Sequence, residues 1–197
     1  MKEGQLDFFG DGEEGFLHRD LSGADLRGRE FLGQTFSACD FSEALLGGCR
    51  FEDCVFEACN LSNPRIEKAS FIDGRFQDCK LVGVNFYHCG QSIFDFHFEA
   101  CRLWSCNFSE LQMKRSRFLR CDIADSFFQN AFLAEADFSG SSFRSTLFHN
   151  SDLRKASFEG AHGYSIDPRS NRIEKAIFSV PDVLALVECF DIVIKEP

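Results

Sequence analysis

The sequence predicts an all-β fold, a quadrilateral β-helix of about seven coils with a short C-terminal helix/strand module. Three observations support this prediction. An apolar residue occupies every fifth position over most of the chain, and a small residue stands two positions before it. The 197 residues also include 25 Phe against 2 Tyr and 1 Trp, so Phe fills one kind of core position many times.

The five-residue period starts at Leu21, runs without a miss to Phe86, and resumes in a shifted frame at Phe98. It matches neither an α-helix nor a strand, whose side-chain periods are about 3.6 and 2. A chain that turns a corner every five residues fits it, because four such sides close a square coil that stacks on the next at about 4.8 Å. The shifted frame predicts a bulge near residues 88–95, with Ile93 as an inward residue of the second frame.

The small inward position, two residues before each centre of the repeat, accounts for the spacing of the cysteines. All ten except Cys189 lie two residues before a centre position of the repeat, with Cys89 counted in the first frame, where Gln91 stands at the centre position. Their spacing of five lacks the CxxC pairs of a zinc site, and side chains stacked on parallel strands suit a disulfide poorly. We therefore predict core-filling thiols with no metal and no cofactor. Because the start of the chain has no signal-peptide pattern, we expect reduced thiols and a cytoplasmic protein.

Three segments follow from the repeats. Residues 1–18 are predicted to be an N-terminal cap, 19–160 the β-helix, and 161–197 a C-terminal cap and dimerisation module. Plain capping in a monomer is the alternative for the last segment.

Within the C-terminal segment, Ser179 is predicted to cap a helix from Val180 to Phe190, and residues 192–194 to form a strand. Its apolar side chains predict the interface of a two-fold dimer. These residues are Phe178, Val183, Leu184, Leu186, Val187, Phe190, Ile192 and Ile194.

Several function classes are disfavoured. The five histidines are isolated from one another, and no GxSxG, Walker or GxGxxG element is present. A core closed with Phe leaves no substrate pocket, so we do not expect an enzyme. The net charge of −10 argues against direct nucleic-acid binding, which requires cationic surface. No apolar stretch is long enough to span a membrane.

The motifs ADLRG (24–28), CDFSE (39–43) and ADFSG (136–140) closely resemble the pentapeptide-repeat family. The resemblance covers residues 19 to 160 and implies a right-handed β-helix. Two longer stretches resemble the AlbG and McbG branch of that family, relatives of Qnr and MfpA. They are ASFIDGRFQDCKLVGVNF (69–86) and YSIDPRSNRIEKAIFSVPDVLALVECFDIVI (164–194).

Members of that branch are cytoplasmic dimers that bind DNA gyrase or topoisomerase IV and protect it from quinolones or peptide poisons. The mechanism proposed for them is DNA mimicry, in which a rod of duplex-like width presents acidic groups in place of phosphates. The resemblance therefore implies DNA gyrase or topoisomerase IV as partner. A repeat scaffold with an unrelated protein partner is the alternative.

Outward-facing acids are the candidate partner-binding residues. They are Asp40, Glu43, Glu52, Asp53, Glu57, Asp73, Asp78, Asp95 and Glu99. Residues 1–60 hold 13 acids and 5 bases, whereas residues 61–160 hold 12 of each. Acidic charge is thus concentrated at the N-terminal end, and no single wall of the square forms a phosphate-like stripe. A cationic cluster, Lys114, Arg115, Arg117 and Arg120, lies in the second half.

Overall fold

The structure is a computed structural model that describes residues 15–90 and 95–195. The predicted cap within residues 1–14 and the inward placement of Ile93 lie outside the described residues.

The described chain forms a parallel β-solenoid with four walls. Residues 20 apart pair in register, as Phe36 with Phe56 and Phe51 with Phe71, so each coil lies directly on the one before. Each wall is identified here by one of its inward residues: wall A contains Phe36, wall B contains Phe41, wall C contains Leu46 and wall D contains Phe51. The prediction of an all-β quadrilateral β-helix is confirmed.

Walls A, B and D contain short parallel strands, and wall C is joined by single bridges such as Asn107 with Phe127. Wall A contains Phe16–Leu17, Thr35–Ser37, Val55–Glu57, Arg75–Gln77, His97–Glu99, Arg117–Leu119, Ser157–Phe158 and Ile177–Phe178. Wall B contains Asn60–Ser62, Lys80–Val82, Arg102–Trp104, Asp122–Ala124 and Ser142–Arg144. Wall D contains Glu30–Leu32, Arg50–Glu52 and Ser70–Ile72. Two 3₁₀ helices, Phe86–His88 and Asp182–Phe190, complete the described elements.

The corners explain the five-residue period. The last residue of a side adopts a left-handed conformation, as Ala38, Ala58 and Asp78 do with φ of 52°, 52° and 53°. This conformation is costly for a residue with a side chain. An inter-coil hydrogen bond offsets part of that cost, because the Ala38 N–H donates to the Glu57 carbonyl at 2.8 Å.

The core is built around a continuous stack of phenylalanines on wall A. Neighbouring rings lie 4.7 to 5.2 Å apart, in nearly parallel planes. The stack consists of Phe16, Phe36, Phe56, Phe76, Phe98, Phe118, Phe138, Phe158 and Phe178. Across the square, rings of adjacent walls meet edge to face, as Phe36 meets Phe41 at 5.2 Å and 78°, which is a favourable aromatic geometry.

The small inward residues do more than fill space. The Cys49 thiol donates to the carbonyl of Leu26 at 2.9 Å, and the Ser126 hydroxyl donates to that of Leu103 at 3.1 Å. In each case the acceptor lies 23 residues earlier, on the preceding wall of the preceding coil. This position therefore suits small residues that can also donate a hydrogen bond, which accounts for the recurrence of Cys and Ser.

The frame shift is absorbed without breaking wall A, because Phe98 pairs with Phe76, 22 residues earlier. Gly90 donates to the Ala69 carbonyl at 2.9 Å, and a Cβ there would lie 2.8 Å from the Lys68 carbonyl oxygen. Only glycine fits this close approach. Phe96 is fully buried, although its position holds a small residue in other coils, and it fills core space beside the shift.

The solenoid extends further than the repeat pattern predicts. Phe16 joins wall A from within the predicted cap, and Ile177–Phe178 adds a coil after Phe158. Two details of the predicted tail are wrong. Residues 192–195 form no strand, and the Ser179 hydroxyl accepts from the Gly160 N–H at 2.9 Å instead of capping the helix. The helix is of 3₁₀ type and starts at Asp182.

Candidate partner-binding surfaces

The nine candidate acids do not lie on one surface. Wall A carries Glu57, Asp78 and Glu99, with Asp95 just before its strand. Wall B carries Asp40 and Glu43. Wall D carries Glu52, Asp53 and Asp73. The placement separates the acids over three walls, so a partner that meets one wall reaches at most four of them.

Several of these acids already have partners within the chain. Glu52 pairs with Arg50 and Glu99 with Arg120. The Asp40 carboxylate accepts from the Ser42 N–H at 2.7 Å and from the Asn60 amide at 3.1 Å. These acids are thus held in fixed positions, and their negative charge is partly balanced.

Wall B carries an aromatic and cationic cluster that the sequence analysis does not predict. The guanidinium carbons of Arg102 and Arg144 lie 4.6 and 5.6 Å from the centre of the Trp104 ring. The Trp104 indole N–H donates to Asp122 at 3.0 Å, which orients the ring. Cation–π contacts of this kind hold both arginines against the wall. Arg102 is two residues before Trp104 on the same strand, and Arg144 lies on the same wall two coils later. The coil length could therefore have predicted that these side chains lie close together.

The surface of the described residues includes two grooves that are open to solvent. One, of about 500 Å³, lies on wall A along Glu57, Arg75, Gln77, His97 and Arg117. The other, of about 460 Å³, lies on wall D around the exposed Phe132 ring. Its charged lining consists of Lys114, Glu135, Asp152, Arg154, Lys155, Glu174 and Lys175. Both are lined by mixed charges, so they resemble recognition surfaces more than enclosed ligand sites.

The end of the rod presents apolar side chains. Ala185 and Leu186 pack on the core, whereas Leu184 and Phe190 remain exposed at 46% and 51%. Of the other predicted interface residues, Phe178, Val183 and Val187 are half-buried, and Ile192 and Ile194 are exposed. Phe178 also forms the last ring of the wall A stack. The helix thus covers the final coil with one side and leaves an apolar surface outside.

The cysteines are free thiols, most of which lie in the core. All ten cysteines are free, and eight are buried. Burial raises the pKa of the Cys106 thiol to about 12, which keeps it protonated and unreactive at neutral pH. Within residues 15–90 and 95–195, no group of three or more His, Cys, Asp or Glu side chains is arranged to hold a metal ion. No helix of this described part has the length and apolar character to cross a membrane.

Known structures share this architecture. Two trypsin-treated variants of QnrB1, a plasmid-mediated fluoroquinolone resistance protein, match it with TM-scores of 0.54 and 0.59. Their sequences are 20% and 17% identical to this one. Each match covers 92% of this chain, together with 89% and 97% of the two QnrB1 chains. At these identities the similarity shows the fold alone. Comparison with curated protein sequences gives no match.

The sequence repeats match a known family directly. The family model of pentapeptide repeats is found in 8 copies, over residues 35–71, 49–87 and 116–160. These segments lie on both sides of the frame shift, and each inward Phe or Leu of the repeats occupies the core. By its repeats and its fold, the chain belongs to the pentapeptide-repeat family.

Proposed function

We propose that this protein is a non-enzymatic binding protein whose partner is a type II topoisomerase, DNA gyrase or topoisomerase IV. The observation that carries the proposal is the combination of a closed rod with a C-terminal helix whose outer side is apolar. This is the architecture that the resemblance of residues 69–86 and 164–194 to the AlbG and McbG branch implies. The shared fold of a fluoroquinolone resistance protein supports it.

The rod is proposed to act as a homodimer joined at its C-termini. Leu184 and Phe190 would form the centre of a two-fold interface, because exposed apolar side chains at the end of a solenoid gain most when a second copy covers them. Light scattering should give a mass near twice the 22.4 kDa of one chain. Changing Leu184 and Phe190 to Glu should yield the monomer, whereas Glu67→Lys, at an exposed position of wall C far from this helix, should leave the dimer intact.

The contact with the topoisomerase is proposed to use acidic side chains of the N-terminal half, most of which lie on walls A and D. Glu57, Asp78 and Glu99 on wall A are interleaved with Arg75 and Arg117. The surface is therefore a mixed-charge pattern and not a uniform row of carboxylates. Protection by DNA mimicry would require the topoisomerase to bind this mixture of acidic and basic side chains, because the backbone of a DNA duplex presents only negatively charged phosphates.

A supercoiling assay with purified gyrase tests the proposal directly. The protein is added at micromolar concentration with and without a quinolone or a peptide poison, and we expect either inhibition or protection. A variant with Glu57→Lys and Asp78→Lys should lose the effect, and Glu159→Lys, an exposed acid near the C-terminal end of wall A, should retain it. If the unmodified protein neither inhibits nor protects gyrase or topoisomerase IV, the proposal is wrong and a scaffold with an unrelated protein partner becomes the better hypothesis.

A further inference from the structure

A surface rich in basic side chains covers the C-terminal half of wall D. Its four coils follow the frame shift and lie within the described residues 95–195. Bridges join the coils in register, from Gln112 to Phe132, Asp152 and Arg172. This basic surface consists of one side of each coil, residues 111–115, 131–135, 151–155 and 171–175.

The basic surface has an excess of three positive charges, although the whole chain has a net charge of −10. Its bases are Lys114, Arg115, Arg154, Lys155, Arg172 and Lys175. Its acids are Glu135, Asp152 and Glu174. The corner residues that precede the four sides are Glu110, Asn130, Asn150 and Ser170. Counting these corners still leaves an excess of two positive charges.

The bases project further from the wall than two of the three acids. The side chains of Arg115 and Arg172 are 69% and 58% exposed, whereas those of Glu135 and Asp152 are 33% and 11% exposed. Of the three acids, only Glu174 is classed with the exposed residues. A partner that approaches the basic surface would therefore meet guanidinium and ammonium groups before most of the carboxylates.

The Glu135 carboxylate holds two of the bases in place. It accepts a hydrogen bond from Arg115 Nε at 3.0 Å and lies 3.5 Å from Lys114 Nζ. One carboxylate balances only one of the two positive charges. This group of three side chains therefore keeps a net positive charge in a fixed position.

The Asp152 carboxylate does the same one coil later. It accepts from Arg154 Nε at 2.7 Å and lies 3.8 Å from a terminal nitrogen of Arg172. Two bases again share one acid and retain a net positive charge. Side chains that are already held in position lose less conformational freedom when an anionic partner binds.

A groove with an apolar centre lies among these bases. The Phe132 ring is 45% exposed, and Ala134 follows it two residues later. Ala134 lies between the long side chains of Lys114, one coil before, and Arg154, one coil after, and these residues line the groove of about 460 Å³. The surface thus offers apolar contact between two sets of bases along the axis of the rod.

The spacing of the bases defines the kind of partner. Lys155 and Lys175 lie two and three coils beyond Lys114, about 10 and 14 Å along the axis at about 4.8 Å for each coil. In an extended segment, side chains four residues apart point to the same side at a separation of about 13 Å, and so does the side chain midway between them. Acids at the first and fifth positions would reach both sets of bases and place the third position over Phe132.

Nucleic acid is disfavoured as the occupant. Its binding draws on many phosphate contacts along a cationic groove that follows several nucleotides. The basic surface is limited to four coils of one wall, and the net charge of −10 opposes the approach of a long polyanion. A short acidic segment of a protein keeps its few carboxylates within the basic surface.

We propose that the basic surface of wall D is a docking site for an extended acidic segment of a partner protein, in which acidic side chains lie on both sides of an apolar one. The inference does not depend on a topoisomerase contact, which is proposed to use acidic side chains of the N-terminal half. The two halves of the rod would then bind partners of opposite charge.

Binding of a synthetic peptide to the full chain tests this inference. The probe is the fluorescently labelled peptide Gly-Glu-Glu-Ser-Leu-Ser-Glu-Glu-Gly, and its anisotropy is measured at about 50 mM and about 300 mM NaCl. We expect a dissociation constant below about 1 mM at the lower salt concentration and weaker binding at the higher one. A peptide with Gln in place of Glu should not bind. A peptide with Ser in place of Leu should bind about threefold more weakly.

Three variants of the basic surface give distinct results. Lys155→Glu combined with Lys175→Glu should weaken binding by at least about tenfold, because it reverses the charge of one set of bases. Phe132→Ala should weaken it about threefold through the loss of apolar contact. Glu174→Gln should strengthen binding, because it removes the exposed acid. A gain of this kind cannot result from misfolding.

The controls match these changes at other walls. Arg75→Glu combined with Lys80→Glu changes the net charge by the same amount on walls A and B. Phe127→Ala removes a ring on wall C that is also 45% exposed. Both control variants should bind the peptide as the unmodified chain does.

Three results would each overturn the inference. The first is no binding of the acidic peptide at about 50 mM NaCl. The second is an equal loss of binding in the wall D variants and their controls. The third is tighter binding of a thymidine oligonucleotide of about ten nucleotides than of the peptide, which would assign the surface to nucleic acid.

Discussion

The hydroxyl of Ser141 donates a 2.6 Å hydrogen bond to the carbonyl of Phe118, one coil earlier. The same oxygen accepts the Cys121 N–H at 2.8 Å. Ser141 is fully buried, so no water can replace these partners. A residue that the repeat pattern marks only as small therefore joins two coils.

Ser141→Ala should consequently destabilise the protein by about 1–2 kcal/mol, since it leaves a buried donor and a buried acceptor without partners. Ser141→Cys should cost less, because thiols make the same contact elsewhere in the core. Urea denaturation measures both, and Ser165→Ala on the exposed surface is the control. Equal stability of the Ala variant and the unmodified protein would show that the hydrogen bonds contribute nothing.

The phenylalanine stack on wall A gives a second prediction. Phe118 contacts Phe98 and Phe138 at 5.2 and 4.9 Å and is fully buried. Phe118→Ala should cost about 3–5 kcal/mol through the cavity it leaves. Phe127→Ala is a matched control, because that ring is 45% exposed and its loss should cost under about 0.5 kcal/mol. Similar unfolding midpoints for the two variants would contradict the role of the stack.

The thiols give a third prediction, measured with a colorimetric thiol reagent at pH 8. Only Cys89 and Cys189 are partly accessible, so at most these two should react quickly in the folded protein. All ten should react after unfolding in denaturant, because none is in a disulfide. Changing Cys89 and Cys189 to Ser should abolish the fast phase. Rapid reaction of further thiols would show that the coils open readily.

Acid stability gives a fourth prediction. Hydrogen bonds from Arg154 hold the pKa of the Asp152 carboxyl below its ordinary value, and its side chain is only 11% exposed. The ionised form is therefore favoured by folding. Its contribution is present above the unfolded pKa of about 3.9 and is lost as the pH falls through the lower folded pKa.

Asp152→Asn should accordingly lower stability at pH 7 and reduce the further loss between pH 4 and pH 2. Urea midpoints at several pH values measure this, with Glu159→Gln as the control at an exposed site. A variant that loses stability with acid as steeply as the unmodified protein would exclude Asp152 as a contributor.

The sequence allowed the repeat, the coil length and the place of the frame shift to be predicted, because inward residues of a solenoid recur at a fixed interval. The ends were harder to predict. Phe16 and Phe178 complete the wall A stack. Phe16 is in frame with Leu21 although it falls in the predicted cap, and Gly163 and Pro168 interrupt the frame before Phe178. A terminal coil has a neighbour on one side only, so fewer of its positions are constrained by packing.

The site was less predictable than the fold. Acidic residues can be identified as outward-facing, and the coil length assigns those before the shift to their walls. The walls of Asp95 and Glu99 depend on the exact number of residues absorbed at the shift. The burial of Phe96 is not predicted, because its position holds small residues elsewhere. Local pattern alone assigns Ser179 as a helix cap, whereas its hydroxyl accepts a bond from Gly160, 19 residues away.

The wall A stack has a consequence for the spacing of anything attached to this molecule. Phe76 and Phe98 remain 4.9 Å apart across the frame shift, so the stack passes from one half to the other without a hinge. Eight inter-coil steps of about 4.8 Å fix the distance from the first ring to the last at roughly 38 Å. That length can change only by a whole coil, which makes the protein a rigid spacer with a discrete set of lengths.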